Sequence, residues 1–265
     1  MNKHWADFVS DKVKARSDLV LGIDPLLSDI PDFLKTGGRS VTDVLRAYVM
    51  FLLETTADQV GFIKYQSAFF EAHGAAGVGV LAESIAEAKR HGHGVILDAK
   101  RGDVGGTAEA YARAYLTPAS AGGSSDLEVD CLTINPFLGP ETLEPFVACA
   151  KTYGKGLFML VKTSNPGAGW LQDREIGDTR VSDRIAQLVA EWAEETIGAC
   201  GLSSIGAVVG ATYPEDGRRL RKIMPDSIFL APVLVPKAAK PTTLTPFSVR
   251  MALACLCPFS AGLRR

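Results

Sequence analysis

Apolar runs of strand length alternate with helical stretches along nearly the whole chain, and this leaves few folds open to it. LVLGIDP (19–25), QVGFIKYQ (59–66), VILD (95–98), CLTINPF (131–137), LFMLVK (157–162), IGAVVGAT (205–212) and SIFLAPVLV (227–235) read as strands. Their Val/Ile/Leu-rich composition suits strands buried on both faces. Between them, 41–57, the stretch VLAESIAEAKRHG (80–92), 106–116, 140–154, 180–198 and 214–225 read as helices. Ser40 or Thr42 can cap the first of these helices, and Gly154 can end the fourth. Strands separated by helices imply βαβ units and a parallel sheet. Seven or eight such units favour a closed (β/α)8 TIM barrel over an open doubly wound sheet. The eighth unit is expected to be incomplete, because the chain ends at Arg265. At 265 residues the chain fits one such barrel as a single domain spanning 1–265.

A barrel of this kind places its catalytic residues at the C-terminal ends of the strands. Asp24, Lys64, Asp98, Lys100, Ser164 and Thr212 all fall there. The densest stretch is GVILDAKRGDVGGT (94–107), where Asp98, Lys100 and Asp103 lie within six residues and glycines follow at Gly102, Gly105 and Gly106. The two-residue side-chain period of a strand turns Asp98 and Lys100 to the same side. Each charge also has a purely structural reading: Lys64 snorkelling from a rim, Asp24 capping a turn, the cluster as an ion pair. Opposite charges alternating along one strand end, with a second lysine on the preceding strand, favour a site over those readings. No metal-ligand set and no Ser-His-Asp arrangement accompanies them. The chemistry expected is electrostatics and proton transfer.

Composition excludes other classes. The formal charge of -2 provides no basic field for nucleic acid. No run of about 18 apolar residues is free of charge, so no membrane span is expected. Residues 1–18 mix acids and bases and have no apolar core of a signal peptide. Cys131, Cys149, Cys200, Cys255 and Cys257 are odd in number and lack CxxC spacing, which fits reduced thiols in the cytoplasm. His91 and His93, in RHGHG, have no third ligand nearby in the sequence and read as a solvated loop.

DAKRGDVGGT resembles the DxKxxD signature of the orotidine 5'-phosphate decarboxylase family, with Thr107 at the position that family uses beside it. The likeness extends through LGIDP, FIKYQSAFFE, TINPF, VKTSNPGAG and GAVVGATYPE, roughly 19–232, and is strongest to the branch with the KTSNPGA loop. The resemblance implies conversion of orotidine 5'-phosphate to UMP and carbon dioxide, in pyrimidine biosynthesis, without metal or organic cofactor. It implies that Asp24 and Lys64 bond the ribose hydroxyls, that Asp98 lies against the substrate carboxylate, and that Lys100 protonates C6. Lys100, flanked by two aspartates, would stay protonated. Asp103 and Thr107 would reach into a partner's site, making a homodimer the catalytic unit. Ser164, with Asn165 and Pro166 in the same loop, would meet the pyrimidine edge.

The likeness stops after about Pro232. The family carries a glycine-rich loop there, of the form APGxGAQGG, whose amides grip the 5'-phosphate. This chain reads APVLVPKAAKPTTLTPF, with Lys237 at the expected Gln and Ala238 and Ala239 at expected glycines. Side chains where bare backbone should meet a phosphate obstruct its approach. The preserved spacing fits a reading-frame slip: Gln-Gly-Gly codons read one base later give Lys-Ala-Ala. MALACLCPF (251–259) fits an off-frame last strand. If the terminus is genuine, Lys237, Lys240, Arg264 or Arg265 would bind phosphate as point charges. Impaired activity is the consequence expected. The rival readings are a nucleotide-binding barrel that no longer catalyses, and a metal-dependent sugar-phosphate lyase of a sister family.

Overall fold

A computed structural model describes residues 3–211, 214–233 and 252–256 of the chain. Helix α1 (Trp5–Ala15) precedes strand β1 (Leu19–Ile23); the short α2 (Asp32–Lys35) and the long α3 (Val41–Thr56) lead to β2 (Phe62–Gln66). Helices α4 (Ser67–Glu71) and α5 (Gly74–Arg90) are followed by β3 (Gly94–Arg101), α6 (Gly105–Leu116), β4 (Cys131–Ile134) and α7 (Glu144–Tyr153). Then come β5 (Gly156–Lys162), a small hairpin of β6 (Glu175–Ile176) and β7 (Thr179–Arg180), and α8 (Val181–Glu194). Strand β8 (Ser203–Val209), α9 (Pro214–Ile223), β9 (Ser227–Val233) and β10 (Ala252–Leu256) complete the order.

Seven parallel strands form one curled sheet in the order β1-β2-β3-β4-β5-β8-β9. The parallel β10 pairs with β9 on one side and with β1 on the other, so the strand order closes on itself. An eighth β/α unit would need a helix after Leu256, outside the described residues. Every residue of β4 and of β8 is buried, because helices cover the outside of the sheet while side chains fill the inside. The helices meet it with apolar stripes such as Val44, Leu45, Tyr48, Val49, Leu52 and Leu53 of α3. Ser40 caps that helix by accepting a hydrogen bond from the Asp43 amide. Gly154 ends α7 at φ 67°, the left-handed turn that glycine adopts without strain.

The structure corrects several expected boundaries. Strand β2 begins at Phe62, not 59, and β4 stops at Ile134 ahead of the Asn135-Pro136 turn. Strand β3 runs to Arg101 and so carries Lys100 within it. Helix α8 ends at Glu194 rather than 198. Helix α1 and the β6–β7 hairpin had no counterpart in the sequence reading. His93 is not in a solvated loop: it is 2% exposed, with Nδ1 3.1 Å from the Val60 carbonyl oxygen. Burial pushes its pKa down to about 4, so it packs as a neutral ring. The expectations for Thr212, for the phosphate-loop segment 234–251 and for 257–265 lie outside the described residues.

The two ends of the sheet carry different charge networks. At the N-terminal end Lys155, 3% exposed, donates to Glu128, which also accepts from Lys89. Asp130 lies 3.8 Å from Lys155 and accepts the Val95 amide at 2.9 Å. Four charged side chains from α5, the α6–β4 connection and the start of β5 thus close the floor beneath the core. The other network lies at the opposite end.

Candidate active site

Three neighbouring strands bring four charged residues to the C-terminal mouth. Lys64 of β2 is 4% exposed, and its Nζ lies 3.4 Å from Asp24 Oδ1 and 3.3 Å from Asp98 Oδ2. The β1–β2 register sets Gly22 beside Lys64, and β2–β3 sets Gln66 beside Asp98. Lys100 Nζ donates to the other Asp98 oxygen, Oδ1, at 2.6 Å. Asp24, Lys64, Asp98 and Lys100 therefore form one chain of alternating charge. Asp98 is buried while the Lys100 side chain is 42% exposed and reaches the open mouth.

An ionised carboxylate in this position is costly without partners. Burial raises the Asp98 pKa, but Lys64, Lys100 and a hydrogen bond from Thr133 more than offset it and hold the carboxyl below the usual carboxylate range. Thr133 Oγ1, in β4, lies 2.9 Å from Asp98 Oδ1. Gln66 Nε2 donates to the Asp98 carbonyl at 3.1 Å, fixing the backbone of the same residue.

The backbone between Asp98 and Arg101 is irregular. From Leu97 to Arg101 strand β3 advances four residues against two of β4, from Leu132 to Ile134. Lys100 takes φ 49°, the one non-glycine residue in the left-handed region among the described residues. Such a conformation costs an L-residue about 1 kcal/mol or more. Its amide donates to Thr133 Oγ1 at 2.9 Å instead of to a strand carbonyl. Arg101 turns outward, where its guanidinium lies 5.5 Å from the Tyr111 ring and 5.6 Å from the Tyr115 ring, bonded to Glu71 and the Tyr115 hydroxyl. Gly102 then passes close to the loop after β4: a Cβ there would sit 2.7 Å from the Asn135 carbonyl oxygen.

Asp103 and Thr107 lie on the rim, after β3 and in the first turn of α6. Asp103 Oδ1 accepts the Val104 amide at 2.8 Å, and Thr107 is exposed. Among the described residues neither makes a hydrogen bond to Lys64, Asp98 or Lys100. Within one chain Asp98 contacts Lys100, while Asp103 accepts the amide of its own neighbour.

Ser164, Asn165 and Pro166 follow β5 at the same end of the sheet. Asn165 and Pro166 are exposed and open a short 3-10 turn, Pro166–Trp170. Asn165 Oδ1 accepts from the Thr163 hydroxyl at 2.7 Å. Gln172 bonds Thr163 twice, accepting its amide at 2.9 Å and donating to its hydroxyl at 2.8 Å. Gly210 lets β8 pass beside this loop, since a Cβ there would fall 2.8 Å from the Ser164 nitrogen.

Sequence reasoning missed Thr133, Gln66, Lys162 and Gln172. Lys162 is 1% exposed at the end of β5, paired with Asp173 and 3.8 Å from Asp216. A lysine closing an apolar strand is the same signal that marked Lys64. Thr133 was legible as the one polar residue of CLTI; Gln66 and Gln172 carried no signal of their own. Among the described residues no group of three His, Cys, Asp or Glu side chains is placed to hold a metal ion.

Residues 18–241 match the Orotidine 5'-phosphate decarboxylase / HUMPS family. The chain belongs to that family. Relatives named orotidine 5'-phosphate decarboxylase include one from Rhodopirellula baltica, 43% identical over 217 residues that cover 80% of this chain and 72% of the relative. One from Deinococcus radiodurans is 40% identical over 242 residues, covering 91% and 81%. Leishmania donovani OMP decarboxylase has the same fold, with a TM-score of 0.74 at 27% identity over 96% of this chain and 89% of its own. A Streptomyces avermitilis structure superposes with a TM-score of 0.82 at 34% identity, over 97% and 87%. In this family setting the DAKRGD stretch supplies two of the four charges, Asp98 and Lys100.

Proposed function

We infer that this chain is a carboxy-lyase that converts orotidine 5'-phosphate to UMP and carbon dioxide in pyrimidine biosynthesis, using no metal or organic cofactor. The observation that carries the reading is the alternating chain Asp24–Lys64–Asp98–Lys100 at the mouth of a parallel α/β sheet. Asp98, held ionised, meets the carboxylate of the substrate and destabilises it in the ground state. The bond from C6 to the carboxylate carbon breaks, and its electron pair stays on C6. The Lys100 ammonium faces that developing charge, stabilises it, and delivers the proton that completes the C6–H bond. Lys64 and Asp24 bind the ribose hydroxyls, and Ser164, with Asn165 and Pro166, meets the pyrimidine edge.

The working unit is a homodimer in the cytoplasm, each chain one (β/α)8-barrel domain whose Asp103 and Thr107 serve the partner's site. Exposed apolar side chains support that face: Val104, next to Asp103 after β3, is 56% exposed, and Phe137 and Leu138, after the neighbouring β4, are 74% and 47% exposed. Among the described residues no helix is long and apolar enough to cross a membrane. No basic surface for nucleic acid is proposed.

The test is loss of orotidine 5'-phosphate absorbance with purified protein in excess chelator, next to a version whose 234–239 segment is rebuilt as the family's glycine-rich loop. Chelator-resistant turnover by either protein is the expected result, with the rebuilt chain faster. Absence of turnover by both, or turnover that chelator abolishes, overturns the reading.

A further inference from the structure

The charged residues of the mouth do not by themselves explain the shape of β3. Between Leu97 and Arg101 the strand gains two residues on its neighbour, and Lys100 is left-handed. Bulges of this kind re-aim a side chain, and strain at a site persists only where surrounding groups over-determine it. The group opposite the bulge is Thr133, fully buried, midway between the paired Leu132 and Ile134 of β4.

A hydroxyl carries one proton and can also accept. The Lys100 amide donates to Thr133 Oγ1 at 2.9 Å. The hydroxyl proton then has two acceptors within reach, Asp98 Oδ1 at 2.9 Å and the Leu97 carbonyl at 3.5 Å. Distance and the charge of the carboxylate both favour Asp98. One side chain therefore satisfies the amide that the bulge strands and steers the carboxylate that Lys100 faces.

We propose that Thr133 is a positioning residue for the decarboxylation: its hydroxyl fixes the left-handed backbone of Lys100 and the orientation of the Asp98 carboxylate together. The proposal rests on the reaction inferred above but concerns a residue that touches no reacting atom. A valine in its place keeps nearly the same volume, yet strands the Lys100 amide and withdraws one of the three donors on Asp98. The other two, Lys64 and Lys100, remain, with Asp24 behind Lys64.

The test compares Thr133→Val with Thr133→Ser in the full chain. Each lost buried hydrogen bond is worth a factor of about ten. Thr133→Val should lower kcat roughly ten- to a hundredfold while KM moves less than about threefold, and Thr133→Ser should recover most of the loss. The acid limb of kcat/KM should shift upward in Thr133→Val and return in Thr133→Ser. Carbon-13 NMR titration of the Asp98 carboxyl reads the same contact without turnover, and its midpoint should rise on loss of the hydroxyl. If Thr133→Val does not fold, Thr133→Ser against Thr133→Ala repeats the comparison. An unchanged Asp98 midpoint in a folded hydroxyl-free variant overturns the proposal, as does a Thr133→Ser variant as slow as Thr133→Val. A wild-type chain without turnover counts against the inferred reaction instead, and the NMR titration still decides the role of Thr133.

Discussion

Lys100 Nζ stands 2.6 Å from Asp98 Oδ1, two residues away on a strand whose backbone is left-handed at the lysine. An extended strand would carry both side chains to one face about 6–7 Å apart at Cα. The contact instead combines that shared face with a bulge, so the ammonium bends back over the carboxylate. Lys64 occupies the second carboxylate oxygen at 3.3 Å. Asp98 is saturated with cationic donors while Lys100 still reaches the open mouth, an arrangement suited to a lysine that works on something outside the chain.

Lys100→Ala removes the ammonium but leaves Lys64 and Thr133 on Asp98. Turnover of orotidine 5'-phosphate should fall by roughly 10³-fold or more, because both charge stabilisation and proton delivery are lost. UMP affinity, measured by calorimetry, should stay within about tenfold. Near-normal turnover would remove Lys100 from its role.

The rim position of Asp103 makes hybrid dimers informative. Lys100→Ala and Asp103→Ala chains, each inactive alone, should regain activity when mixed and allowed to exchange. Only half of the dimers are then hybrids and each has one complete site, so about a quarter of wild-type activity is expected from statistical exchange. No recovery despite exchange shown by native mass spectrometry would place Asp103 outside the partner's site.

At the other end of the sheet, Glu128→Ala would leave Lys155 buried with Asp130 3.8 Å away as its nearest remaining acid. Removing one partner of a buried pair costs about 3–5 kcal/mol. Denaturant unfolding should register that loss while kcat is preserved in the fraction that remains folded. A stability change below about 1 kcal/mol would mean that water already reaches the pair.

His93 adds a pH dependence to stability. Its folded pKa, depressed by burial to about 4, lies below the unfolded value of about 6.5. Between those values the unfolded chain binds a proton that the folded chain does not. Stability should fall as pH drops through that window, by up to ~3 kcal/mol, and be unaffected by His93 above it. In His93→Gln the difference in unfolding free energy between pH 7 and pH 4.5 should shrink by most of that amount. An unchanged difference would show that His93 is already solvated.

The strands were legible because helices and a packed interior bury them on both faces, which leaves unbroken apolar runs such as Val95–Ile96–Leu97. The four charges were legible because nothing apolar explains a lysine or an aspartate at such a run's end. Less could be seen where distant contacts set the conformation. No local pattern announces that Lys100 is left-handed, since the cause is a hydroxyl 33 residues away in β4. His93 is buried by its fit against Val60 and Arg16, although RHGHG has a loop's composition. Helix α1 buries Trp5, Ala6 and Val9 in a short stripe among charged residues, too narrow to stand out from the sequence.

The bulge in β3 also bears on how the mouth moves. An irregular strand end is ordinarily where a sheet frays and exchanges its amide hydrogens first. Here the Lys100 amide is tied to Thr133, the Asn135 amide to the Arg101 carbonyl at 2.8 Å, and the Arg101 side chain to Glu71 and Tyr115. The segment bearing Asp98 and Lys100 should therefore exchange as slowly as the core. Two strands along the rim, after β5, the 164–170 turn is anchored through Thr163 and Gln172 and carries Trp170 in solvent. The wall that carries the charges is a fixed anvil, shaped before any ligand arrives.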